Sequence, residues 1–332
     1  MEYRKLIKFG NSSHVISLPK TWLDKQGIKK GDIIYFEENE NGDIIISSKE
    51  YKDTDEGKNL KIDIDGLTNK EIQLEIVSGY IKEFRKIILT GKEIKTKATE
   101  IRKILHELIG IEIIEQTKSK IIAKDFLNIC EIRLEDLRKR LNSVVTNMIK
   151  DSKLGGEDSN YKDIKNRDHD ANKFTYVLLR VIRRGLEKPN IRKSIGLTKL
   201  ELAHEQHTVL AMERIADIAK WISRTDHEAD LTDKEIEELN KIHAIVLDNY
   251  RLALNSYIKK DYTKSCNAVS INKEIQASCD KAKINLKSSE AFKITHLLRE
   301  MSNNIAIIGE AGFMNTESNI GKIFYEEKEH NL

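Results

Sequence analysis

Proline is scarce in this chain, with two in 332 residues, and the three cysteines form no CxxC pair. Cys130, Cys266 and Cys279 are odd in number and widely spaced. That argues against a disulfide framework and suits small buried hydrophobes in a reducing compartment. No apolar run approaches the roughly 18 residues that a membrane-crossing helix needs. The N-terminus is charged from Glu2 onward and has no leader-like hydrophobic stretch. A cytoplasmic protein without membrane insertion is expected. A phosphate loop, a GxGxxG turn, a nucleophile elbow and a nucleophile–base pair are all missing, so the chain does not read as an enzyme.

What is present is charge: 33% of residues are charged against 39% hydrophobic. This is the profile of a helix-rich protein laden with lysine and glutamate. One core seldom grows past roughly 250 residues, so two or three domains are expected. The net charge is only +3, which confines any nucleic-acid surface to a local patch.

Residues 1–50 are such a patch. Tyr3 to Phe9 and His14 to Leu18 have strand composition, separated by the turn Gly10 to Ser13. Pro19 stands where its fixed φ suits a helical first turn, and Gly27 ends the short helix Lys20 to Gln26. Ile33 to Phe36 and Ile44 to Ile46 read as strands around Asn41-Gly42. Fifty residues cannot enclose an adequate core alone, so the head either packs on the body or pairs with a second copy. Residues 1–30 carry a net charge of +5 and residues 31–50 a net charge of −5. One edge is therefore cationic, built around Arg4, Lys5, Lys8 and Lys20, beside a turn of small donors and His14. Phosphate binding uses this mixture, although on composition alone a solvated hairpin with ordinary surface lysines serves equally well.

The string KFGNSSHVISLPKTWLDKQGIKKGD resembles the SpoVT-AbrB family, also seen in MazE-type antitoxins. The shared pattern is the glycine turn at Gly10, Leu18-Pro19-Lys20, a short helix, and Gly27-Ile28-Lys29-Lys30-Gly31-Asp32. The resemblance implies a swapped-hairpin homodimer that binds double-stranded DNA through the basic first strand and turn. It assigns DNA contact to Arg4, Lys5, Lys8, Asn11, Ser12, Ser13 and His14, with Lys20 on the same cationic edge. A frequent family arginine after the glycine turn is absent; Asn11-Ser12-Ser13-His14 stands there.

After a polar linker, residues 59–127 alternate as strand Leu60 to Ile64, helix Asn69 to Phe84, strand Arg85 to Leu89, helix Ala98 to Ile109, and strands Ile111 to Glu115 and Lys120 to Ala123. A β-α-β-α-β-β order predicts a small α/β layer domain, whose expected role is to connect head and body. The fold class expected for the whole chain is multidomain α+β, ending in an all-α body.

That body spans 128–325, with six helices near 128–152, 162–187, 194–224, 230–259, 262–287 and 289–318. Breaks fall at Gly155 to Asn160, Pro189 and Thr225 to Asp230. The order suggests tandem three-helix repeats, 128–224 and 230–320. Glu213 and Asp217 stand one helical turn apart, so both carboxylates leave one face. A solvated stripe, or pairing with Arg214 or Lys220, is the ordinary explanation of such a pair.

HTVLAMERIADIAKWISR closely resembles the third helix of the PhoU family, and RDHDANKFTYVLLRVIR its second. That resemblance implies a divalent metal (Mg, Mn, Ca or Fe, given oxygen ligands) at one site in the first repeat, held by Glu213, Asp217, Asp168 and Asp170. Asn172 stands where an aspartate is usual, and in LLREMSNNIAIIGE Arg299 and Asn303 replace the second carboxylate pair. Helix five adds little beyond Glu274. His204 and His207 are expected to be ordinary core or surface histidines. Taken together, the order resembles archaeal-type phosphate-uptake regulators and implies a DNA-binding regulator of phosphate homeostasis. The alternative is an adaptor that regulates a phosphate transporter or signalling partner by contact, with the head serving for dimerisation. An antitoxin fits poorly with so large a folded body.

Overall fold

The computed structural model describes residues 3–11, 13–38, 44–48, 58–156 and 159–316. The chain divides into two compact units, Met1–Glu56 and Gly57–Leu332. A small β-hairpin head is followed by an α/β region and a mostly helical body, as the sequence pattern predicts.

In the head, β1 (Ile7–Phe9) and β2 (Ser13–Val15) pair antiparallel. Their turn passes through Gly10 at φ 70°, a left-handed conformation that glycine adopts without steric penalty. Helix α1 (Lys20–Gln26) is capped by Pro19, whose carbonyl accepts from Trp22 and Leu23. Pro19 thus sits one residue before the expected first-turn position. β3 (Tyr35–Glu38) and β4 (Ile44–Ser47) form a second hairpin with Tyr35 opposite Ser47. None of the described head residues is buried. Leu6, Ile7, Phe9, Ile33, Phe36 and Ile44 are each at least 60% exposed.

The second unit opens with a sheet whose elements follow the predicted order: β5 (Asn59–Asp63), α2 (Asn69–Ile81), β6 (Lys86–Thr90), α3 (Ile94–His106), β7 (Ile111–Gln116) and β8 (Lys120–Asp125). The strand order is β5-β6-β8-β7, parallel between β5 and β6 and antiparallel elsewhere. Ile87, Leu89, Ile121 and Ala123 are buried along with Ile72, Ile76, Ile101 and Leu105 of the two helices. Gly79 lets α2 lie close to β5: a Cβ there would begin 2.3 Å from the end of the Leu60 side chain, which would have to turn aside.

Seven body helices follow among the described residues: α4 (Leu134–Asp151), α5 (Ser159–Glu187), α6 (Pro189–Ile195), α7 (Lys199–Glu228), α8 (Asp233–Lys259), α9 (Tyr262–Ala282) and α10 (Ser289–Met314). Helix α6 is the addition to the predicted six. Pro189 was expected only to break the chain, but it occupies the first turn of a new helix that Gly196 ends. Helices α4, α5 and α7 pack together, as do α8, α9 and α10, and α7 lies against α10. Glu235 serves two helix starts at once: it closes the capping box of α8 with Thr232, and it accepts from the backbone N–H groups of Lys287 and Ser288 ahead of α10. These bonds hold its carboxyl down at about 2. Among the described residues, no helix is long and apolar enough to cross a membrane.

Charged pairs join the α/β layer to the bundle. Arg180 of α5 meets Asp125 at 2.5 Å with both side chains buried, and its guanidinium lies 4.2 Å from the Tyr80 ring centroid. Arg184 meets Glu83 at 3.0 Å, where the chain turns through a positive φ of 61°. Deeper in the bundle, Glu205 accepts from Arg138 at 2.8 Å and from the Tyr257 hydroxyl at 2.5 Å. Removing one member of a buried pair strands the other's charge, at a cost of about 3–5 kcal/mol. Asp125→Ala is therefore expected to lower unfolding free energy by about that much in urea titration, while Asp125→Leu combined with Arg180→Met costs less than the single change.

Candidate nucleic-acid interface and carboxylate cluster

All described residues of the predicted DNA-contacting set are exposed: Arg4, Lys5, Lys8, Asn11, Ser13, His14 and Lys20. Ser12 lies outside the described residues. Register divides the rest. Lys8 stands directly opposite His14, so their side chains share one face of the hairpin. Ile7 opposite Val15 and Phe9 opposite Ser13 take the other face, because strand side chains alternate. The hairpin is therefore cationic and polar on one side and largely apolar on the other. Ser13 falls with the apolar side, apart from Lys8 and His14. Asn11 remains in the turn, and Lys20 opens α1.

In the bundle, the acidic residues gather on the facing sides of α5 and α7. Lys220 donates to Asp168 of α5 at 2.7 Å and to Asp217 of its own helix at 2.7 Å. Burial pushes the Asp168 carboxyl up despite the bonded lysine. Burial also pulls at Lys220, but its two carboxylate bonds outweigh that and raise the ammonium above its usual range. Glu213 is pushed up to about 7, first by burial and then by the charges of Asp217 and Asp168. Tyr176, on α5, rises to about 12 through burial and the same negative surroundings. Arg214 is drawn over the Trp221 ring, 4.7 Å from its centroid.

Asp170 does not join this group. Two helical residues turn the chain by roughly 200°, and Asp170 is exposed, 3.8 Å from Lys173. Asp170, expected beside Asp168, lies instead on the exposed side of α5. His169 between them reaches back to Glu107 at 2.9 Å. Among the described residues, no three or more His, Cys, Asp or Glu side chains are arranged to hold a metal ion.

In the second three-helix group, the positions expected to correspond are filled differently. Asn272 and Gln276 of α9 donate to Asn303 of α10 at 3.3 and 3.1 Å, and Arg299 donates to Asp280 at 2.7 Å. Glu274 is exposed. His204 is buried against Asn315, and His207 is exposed. Sequence reasoning weighed Lys220 as a partner and missed Tyr176, which lies two turns beyond Asp168 on the same helix.

Residues 7–54 match the family model described as antidote-toxin recognition MazE, bacterial antitoxin. The match falls on the segment whose glycine turn and Leu-Pro-Lys pattern resemble that family. The head is therefore AbrB/MazE-like, which points at a coarse level to a DNA-binding regulator. Comparison with curated proteins and with solved structures finds no match.

The folded chain keeps the Glu213 proton up to about pH 7, whereas the unfolded chain releases it near 4.5. Raising the pH across that interval therefore favours unfolding. In EDTA, the wild type is expected to lose about 1–3 kcal/mol of stability between pH 5 and pH 8 from this group. Glu213→Gln should flatten that part of the slope in urea titrations run across the range.

Proposed function

We propose that this chain is a homodimeric DNA-binding regulator of phosphate uptake, in which the head grips DNA and the helical body receives the signal. The observation that carries the DNA reading is the two-faced hairpin. Lys8 and His14 share its polar side, and Ile7, Phe9 and Val15 lie exposed on the other, within a segment matching an antitoxin family. An apolar face of this kind on a head with no described buried residue favours pairing with a second copy. Pairing doubles the cationic edge. The phosphate part rests on the resemblance of Met212 to Ile222 and Arg167 to Arg183 to PhoU helices, supported by two three-helix groups packed through α7 and α10.

A dimer with three cations per copy on phosphates is expected to lose roughly a thousandfold in affinity between 50 and 200 mM salt in gel-shift titrations with its own upstream DNA. Arg4→Ala, Lys5→Ala and Lys8→Ala together should flatten the log–log salt slope by roughly five. A chain that sediments as a dimer yet shows no salt-sensitive shift supports the adaptor alternative instead. Sequencing the DNA bound in cells grown with ample and scarce phosphate tests the signal. Occupancy at phosphate-transport genes that changes with supply is expected, and occupancy indifferent to phosphate removes that part of the reading.

A further inference from the structure

The carboxylate cluster between α5 and α7 carries its own cation. The Lys220 ammonium lies 2.7 Å from an oxygen of Asp168 and 2.7 Å from one of Asp217, so two of its three protons are committed to two different helices. Its side chain is 23% exposed and that of Asp168 12%, which shields the contact from competing water and salt. The neighbouring basic side chains are engaged elsewhere, Arg214 on the Trp221 ring and His169 with Glu107. The spacing to Asp217 is i, i+3, so the ammonium is tethered beside the carboxylates rather than drawn from solution.

The second repeat gives independent support. Where α10 aligns with Glu213 and Asp217 it places Arg299 and Asn303. Arg299 is bonded to Asp280, and Asn303 is enclosed by the amides of Asn272 and Gln276. Both repeats thus satisfy this position with groups from the chain itself, one by an ammonium and one by amides and a guanidinium.

We propose that Lys220 is the resident counter-cation of the Asp168–Asp217–Glu213 cluster and occupies the place of a divalent ion, so that the first repeat joins α5 to α7 without metal. This departs from what the resemblance of the α7 string implies. A divalent ion entering the cluster must either expel the ammonium from both bonds or sit beside a fixed positive charge. Each route weakens divalent binding at these oxygen donors.

The test is a Mn²⁺ titration of the full chain after EDTA treatment and dialysis, following free Mn²⁺ by electron paramagnetic resonance. The wild type is expected to leave the ion free up to about 1 mM, and Lys220→Met to bind one Mn²⁺ at least about tenfold more tightly than the wild type. Adding Asp217→Asn to Lys220→Met should abolish that gain, placing the ion in the cluster. One equivalent bound by the wild type and lost in Asp217→Asn overturns the proposal, as does a folded Lys220→Met that gains no affinity. Should Lys220→Met fail to fold, wild-type melting in EDTA and in Mn²⁺ decides alone. Coincident curves support the proposal, and a Mn²⁺-dependent rise in Tm that Asp217→Asn removes sinks it.

Discussion

Several buried charges inside the second unit are satisfied by partners on elements far apart in the chain, and those contacts set how its layers meet. An orphaned buried charge costs more than a satisfied pair contributes, so the partners discriminate strongly against slipped packings. Arg180 with Asp125 and Arg184 with Glu83 fasten α5 to the α/β layer. Lys220 with Asp168 fastens the same helix to α7. Glu205 then joins α7 to Arg138 of α4 and Tyr257 of α8, and Glu235 ties the start of α8 to the start of α10. Helix α5 stands in the middle of this series, with charged partners in both the sheet region and the bundle.

The head obeys the opposite constraint. Among its described residues none is buried, and Leu6, Ile7, Phe9, Ile33, Phe36 and Ile44 stand exposed. Its chemistry therefore resides in its two surfaces, one polar and cationic, the other apolar. A surface of each kind on one short hairpin suits the proposed contacts with a polyanion and with a second copy. The second unit, by contrast, has a continuous hydrophobic core that runs from the sheet into the helices.

Much of this was legible in the residues. The alternation of β-branched runs with amphipathic stretches placed every element of the α/β layer, because period two and period 3.6 are written directly in the side chains. Helix α6 escaped because Pro189 serves equally as a terminator and as a first-turn residue, and only packing against α5 selects between them. At the candidate site, the i, i+4 spacing placed Glu213 and Asp217 on one face. The separation of Asp168 from Asp170 follows from the same helical geometry, once the phase of α5 against α7 is known. Arg138, Arg180 and Glu205 could not be singled out, since a charged residue in an amphipathic helix reads as surface until its buried partner is seen.

By itself the sequence determined the order of elements, the cationic edge of the head and the candidate carboxylates. All of these rest on local periodicity, spacing and composition. Tertiary structure alone decided which charges are buried, which aspartate joins the cluster, and that a lysine sits between its carboxylates. Those outcomes depend on which faces of distant helices meet, and burial at such contacts turns a weak surface attraction into a strong structural preference.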